Sequence, residues 1–149
     1  SPPLRSEENR QAIVEGIASG VIDAIVSDHS TRDQDSKRLP FNQASFGVVG
    51  LETLLPVTLE KVNENAFTLL EALAPLTCNP AKILGVKEGR IEKGFPANFV
   101  IFDLNRPYEI NGYKFVSKCK NSPFNGKKVS GSVLKTIRDG NIVFDSNAL

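Results

Sequence analysis

The run Val21-Ile22-Asp23-Ala24-Ile25-Val26 constrains this chain most. It is short, mostly apolar and rich in β-branched residues. Such a run suits a strand buried on both faces, as in a parallel sheet. A helix is expected before it, over 6–19. Ser6 can cap that helix, and Glu7 and Glu8 sit in the first turn, where the helix dipole favours negative charge. Ile13, Val14 and Ile17 share one face at helical spacing, and Gly20 follows as a stop. Helix, glycine turn and buried strand form the second half of an α/β unit.

A polar, aperiodic stretch runs from Ser27 to Gly47. A loop of roughly twenty residues inside a compact domain is usually functional or disordered. Helices are expected from Leu51, with a kink or break at Pro56, over 64–74 and ended by Pro75, and over 79–84 behind an Asn79 cap with Pro80 in the first turn. After Gly85 the character changes. Asn98–Asp103 is strand-like, Val129–Ile137 partly alternates, and Asp139-Gly140 supplies a tight turn before Asn141–Phe144. The tail reads as a small β module.

Composition narrows the function. Eighteen basic residues face 17 acidic ones, a net charge of +1, which argues against nucleic-acid and acidic-membrane binding. No apolar run approaches the ~18 residues of a membrane span. Ser1–Arg5 lacks the pattern of a signal peptide, so a cytoplasmic protein is expected. Two cysteines are too few for a disulfide scaffold or a structural zinc site, and the single histidine excludes a self-contained multi-histidine metal site. There is no methionine, so a processed start or a piece of a longer chain is expected.

Asp28-His29 follows the buried strand directly. Catalytic groups in α/β folds collect at the carboxyl ends of parallel strands. Asp28 reads either as a cap for the loop beyond it or as a group that ligates a metal or moves protons. Asp33 and Asp35 lie beside Lys37 and Arg38, which suits a solvated loop with internal salt bridges better than a calcium loop. Phe41, Phe46 and Phe67 read as packing groups, and Cys78 as structural. Gly47, Gly50 and Gly131 mark either turns or close backbone approaches. No dinucleotide fingerprint, P-loop or nucleophile elbow is present.

Read together, these motifs resemble the carboxyl-terminal portion of class I dihydroorotases, in the amidohydrolase superfamily. The resemblance rests on Pro2-Pro3-Leu4-Arg5, Ile22–His29, Lys37 with Pro40-Phe41, Gly47 with Gly50–Pro56, Asn79–Gly85, Gly94–Asn98, Ser122–Gly126 and Val129–Phe144. It covers nearly the whole chain. The Gly-Leu-Glu-Thr stretch and Ser-Pro-Phe-x-Gly favour dihydroorotase over hydantoinase or allantoinase.

The implied fold is α/β: residues 1–86 as the end of a (β/α)8 TIM barrel, with its last strand and helices, and 87–149 as the carboxyl-terminal part of a small β-sandwich. The implied activity is reversible hydrolysis of L-dihydroorotate to N-carbamoyl-L-aspartate in pyrimidine biosynthesis. The implied cofactor is zinc, with its other ligands upstream. Asp28 is implied as metal contact and proton shuttle. Arg32, where many members have histidine, and the backbone at Phe46 and Gly47 are implied as substrate contacts. Ser1 stands where the family has a substrate-binding asparagine. The upstream part of the same enzyme is an implied partner, and a homodimer fits the family. The alternative is a non-catalytic scaffold for aspartate carbamoyltransferase, since dihydroorotase-like chains of that kind exist.

Overall fold

The computed structural model describes residues 5–147. The Ser1 and Pro2–Leu4 expectations lie outside the described residues. Helix α1 spans Glu7–Ala18, and the Ser6 side chain accepts from the Asn9 N–H as expected. The Val21–Val26 run that follows is not in a sheet. It is tied instead by Ile22 N–H to the Gly16 carbonyl and by Ile25 N–H to the Pro75 carbonyl. Val21 and Val26 are 78% and 72% exposed. The residue choice is that of a buried strand, yet no described strand lies alongside to complete a ladder.

Within the long polar stretch lies a short helix, α2 (Gln34–Arg38), which the pattern reading left as loop. Asp33 caps it by accepting from Ser36 N–H at 2.8 Å. Asp35 stands in its first turn and Lys37-Arg38 in its last, the charge order a helix dipole favours. The expected internal salt bridges are absent among the described residues, because Asp33 is used as the cap and Lys37 reaches carbonyls instead.

Helix α3 (Leu54–Asn63) holds Pro56 in its first turn, where no intrahelical partner is lost, so the expected break does not occur. The helix expected over 64–74 begins only at α4 (Leu69–Leu73), behind a Thr68/Glu71 capping box. A 3₁₀ turn over Ala74–Leu76 admits Pro75 near its start rather than stopping there. Helix α5 (Cys78–Leu84) starts one residue before the expected Asn79 cap and ends at Gly85, at φ +69°.

The β module is an antiparallel sheet in the order β1-β2-β3, with β1 at Phe99–Glu109, β2 at Lys128–Arg138 and β3 at Asn141–Asp145. β1 outruns the expected Asp103 through a bulge, where the Asp103 carboxylate accepts from Asn105 and Arg106 N–H. Asp139 and Gly140 both take positive φ, as a tight primed hairpin turn requires.

Core and sheet meet at α3. Leu59 is fully buried, and β2 passes over it at Gly131, where a Cβ would overlap the Leu59 Cδ1. Val49, Phe67, Ala72, Ala81, Ile110 and Val129 complete the buried apolar set. Of the three phenylalanines expected to pack, only Phe67 does; Phe41 and Phe46 are exposed.

Candidate functional site

Two segments form the site. One is the end of the apolar run, Ser27–Ser30. The other is the chain from Ser45 to Leu51, ahead of α3. Ser30 N–H donates to the Val48 carbonyl at 2.9 Å, and Gly50 and Leu51 N–H donate to His29 Nδ1 at 3.1 and 3.4 Å. For Nδ1 to accept, the ring proton must sit on Nε2. His29 is thus a clamp between the two segments.

The glycines allow this close approach. A Cβ on Gly50 would stand 2.7 Å from the Ser27 carbonyl oxygen, and one on Gly47 would stand 2.7 Å from Ser30 Oγ.

Asp28 lies between these clamped residues. Its φ is +41°, a left-handed conformation that asparagine and aspartate tolerate better than most side chains. Its carboxylate is exposed and accepts no hydrogen bond among the described residues. The cap reading of Asp28 therefore has no hydrogen bond to support it.

Arg32 Nε donates to the Phe46 carbonyl at 2.8 Å. The sequence-expected contacts Arg32, Phe46 and Gly47 are thereby brought together. With Nε occupied, only the two terminal Nη groups remain for an end-on, two-pronged contact with a carboxylate. Lys37 Nζ, half-buried, donates to the Ser45 and Gly47 carbonyls at 2.8 and 3.1 Å. The Asn121 Nδ2 of the β module donates to the same Gly47 carbonyl at 2.8 Å, and Val49 N–H donates to the Asn121 carbonyl at 3.0 Å.

Beside this loop is a cavity of about 280 Å³. Arg32, Lys37, Arg38 and Lys120 line it with neutral polar groups, and no carboxylate of the described residues does. Such a wall favours an anion over a neutral ligand. Asp28 is not part of its lining. Lys37 and Asn121 are contributors that sequence reasoning did not assign. Their contacts join residues 8, 10 and 74 positions apart, which leave no periodic signal.

No group of three or more His, Cys, Asp or Glu among the described residues could hold a metal ion. His29 Nδ1 is occupied, and both cysteines are free and half-buried. Asp28, exposed and unpartnered, fits as one ligand to a metal whose remaining ligands come from elsewhere.

The profile of the Amidohydrolase family matches residues 2–143. This chain belongs to the amidohydrolase family. Among curated relatives, dihydroorotases from Wolbachia sp. subsp. Drosophila simulans and Wolbachia sp. subsp. Brugia malayi are 47% and 49% identical over 99% and 97% of the chain. The chain spans about a third of their length, 34% and 32% respectively. Among solved structures, the L-hydantoinase of Arthrobacter aurescens superposes with a TM-score of 0.92 at 31% identity, covering 97% of this chain and 34% of that one. The dihydropyrimidinase of Brevibacillus agri gives 0.90 at 24% identity, with 97% and 33% covered, a likeness of fold alone. This amidohydrolase chain thus keeps the α/β class expected of part of a (β/α)8 barrel followed by a small sheet. None of the helices described is long and apolar enough to cross a membrane.

Proposed function

We propose that this chain is the carboxyl-terminal portion of a zinc-dependent class I dihydroorotase. Residues 1–86 close its barrel and 87–149 contribute to its β-sandwich. The enzyme works in the cytoplasm on pyrimidine biosynthesis, hydrolysing L-dihydroorotate reversibly to N-carbamoyl-L-aspartate. The observation that carries this reading is the clamp between Ser27–Ser30 and Ser45–Leu51. It sets an unpartnered carboxylate at the end of the apolar run beside a loop whose carbonyls are pinned by Arg32 and Lys37. The dihydroorotase relatives, aligned over nearly the whole chain, support the substrate.

Asp28, with ligands upstream of this chain, would hold a zinc ion, which when bound would activate a water as nucleophile. The Asp28 carboxylate would accept the proton of that water during attack on the ring amide carbonyl. The same carboxyl then delivers the proton to the departing ring nitrogen, so that one group serves as base and then as acid. Arg32 faces the substrate carboxylate through its Nη groups, and the N–H groups of Phe46 and Gly47 donate to substrate oxygens. A homodimer is the proposed assembly.

The test is Asp28→Asn in the whole enzyme. The amide cannot accept and return the proton, so kcat falls by about 10²–10⁴-fold, while circular dichroism and subunit size stay unchanged. Near-normal turnover removes the shuttle role. A wild-type enzyme without turnover that still binds aspartate carbamoyltransferase establishes the scaffold alternative instead.

A further inference from the structure

Three successive carbonyls, those of Ser45, Phe46 and Gly47, are each held by a side chain. A single ammonium, Lys37 Nζ, bridges the first and third, Arg32 Nε takes the second, and Asn121 Nδ2 takes the third again. A trans peptide is planar, with its N–H directed opposite to its C=O. Pinning the carbonyl of residue 45, 46 or 47 therefore fixes the direction of the N–H of residue 46, 47 or 48. None of those three N–H groups finds an acceptor among the described residues. They stand as fixed, unused donors, turned away from the side chains that hold the carbonyls.

Asn121 bears a cost for its part. Its Oδ1 is buried without a partner among the described residues, a condition that ordinarily disfavours folding by about 1–3 kcal/mol. Turning the amide over would satisfy neither Oδ1 nor the Gly47 carbonyl. The half-buried Lys37 ammonium likewise donates to two carbonyls and, among the described residues, pairs with no carboxylate.

We propose that Lys37 and Asn121 are positioning residues that hold the Phe46 and Val48 N–H groups toward oxygen atoms of the substrate. The β module would then set substrate affinity in the barrel-end loop through Asn121. This inference rests on the dihydroorotase reading above.

In the whole enzyme, Lys37→Met keeps the side chain's bulk and removes the donor. KM for dihydroorotate rises about 10-fold, while kcat falls by less than KM rises. Lys37→Arg, which can again donate to two carbonyls, recovers most of the loss. Asn121→Ala raises KM about 3-fold or more and carries the test alone if Lys37→Met does not fold. An unchanged KM in a folded variant, or a loss in Lys37→Met that Lys37→Arg does not recover, overturns the inference and leaves the functional reading standing. A wild-type enzyme that does not turn over dihydroorotate overturns both.

Discussion

At the scale of single residues, the site is a balance of close approaches and one strained backbone. Gly50 is the sharpest case, because the atom its Cβ would meet is the Ser27 carbonyl, a main-chain atom that cannot rotate aside. Gly50→Ala should therefore shift the Ser27–Ser30 segment. We expect a loss of about 1–3 kcal/mol, read by urea denaturation of the whole enzyme. The same shift moves Asp28, so kcat/KM should fall with stability. A variant that loses stability and keeps full kcat/KM would show that the clamp does not position the carboxylate. Asp28 was legible in the sequence because it follows a β-branched run directly and precedes a long polar stretch. The service of Arg32, Lys37 and Asn121 to one short loop was not. Such contacts depend on how distant segments fold back, and charge pattern alone suggested salt bridges among neighbours.

At the scale of elements, helix ends carry the local information. Thr68 and Glu71 satisfy each other's N–H groups, and those bonds hold the Glu71 carboxyl below its ordinary range. Thr68→Ala should cost about 1 kcal/mol, measured as a fall in the unfolding midpoint. At the start of α1, the Arg10 guanidinium bonded to Glu7 holds that carboxyl down at about 2, against an ordinary 4.5. A folded pKa below the unfolded one means that the contribution is present above pH 4.5 and is lost as pH falls toward 2. Because the Glu7 side chain is largely exposed, salt should weaken the effect. Titrating the Glu7 carboxyl by NMR should place its midpoint well below 4.5, and Arg10→Ala should raise it. Capping and turn chemistry made α1 and the Asp139-Gly140 hairpin readable in advance. Apolar spacing misled over 64–68, where Thr68 could have marked the true start of α4. It also left α2 unseen, since a five-residue helix has no apolar face to repeat.

At the scale of the whole molecule, side chains tie the helical part to the sheet. Lys127 pairs with Glu60 at 2.6 Å, and Glu52 accepts from Val116 N–H at 2.9 Å; Asn121 makes the third tie, to Gly47. Partly exposed ion pairs are worth about 1 kcal/mol or less, so the buried seat of Leu59 under Gly131 does more to join the two parts. Val21–Val26 has the composition of a strand buried on both faces, yet its end residues are largely exposed and it joins no ladder. One strand cannot close an eight-stranded barrel, and an unpaired edge invites association. Asp28, at the end of that run, is a single carboxylate without a metal-binding cluster among the described residues. Both features lie on the same segment, and under the proposed function the part of the relatives' length that this chain does not span would complete them. We therefore expect purified 1–149, given zinc and dihydroorotate, to show no turnover above the uncatalysed rate. Co-expression with the upstream part of the enzyme should restore it, and Asp28→Asn in the co-expressed chain should abolish the restored activity. Turnover by 1–149 alone at the rate of the whole enzyme would mean that this segment assembles a complete site without neighbours. The unpaired run and the lone carboxylate would then need a different explanation.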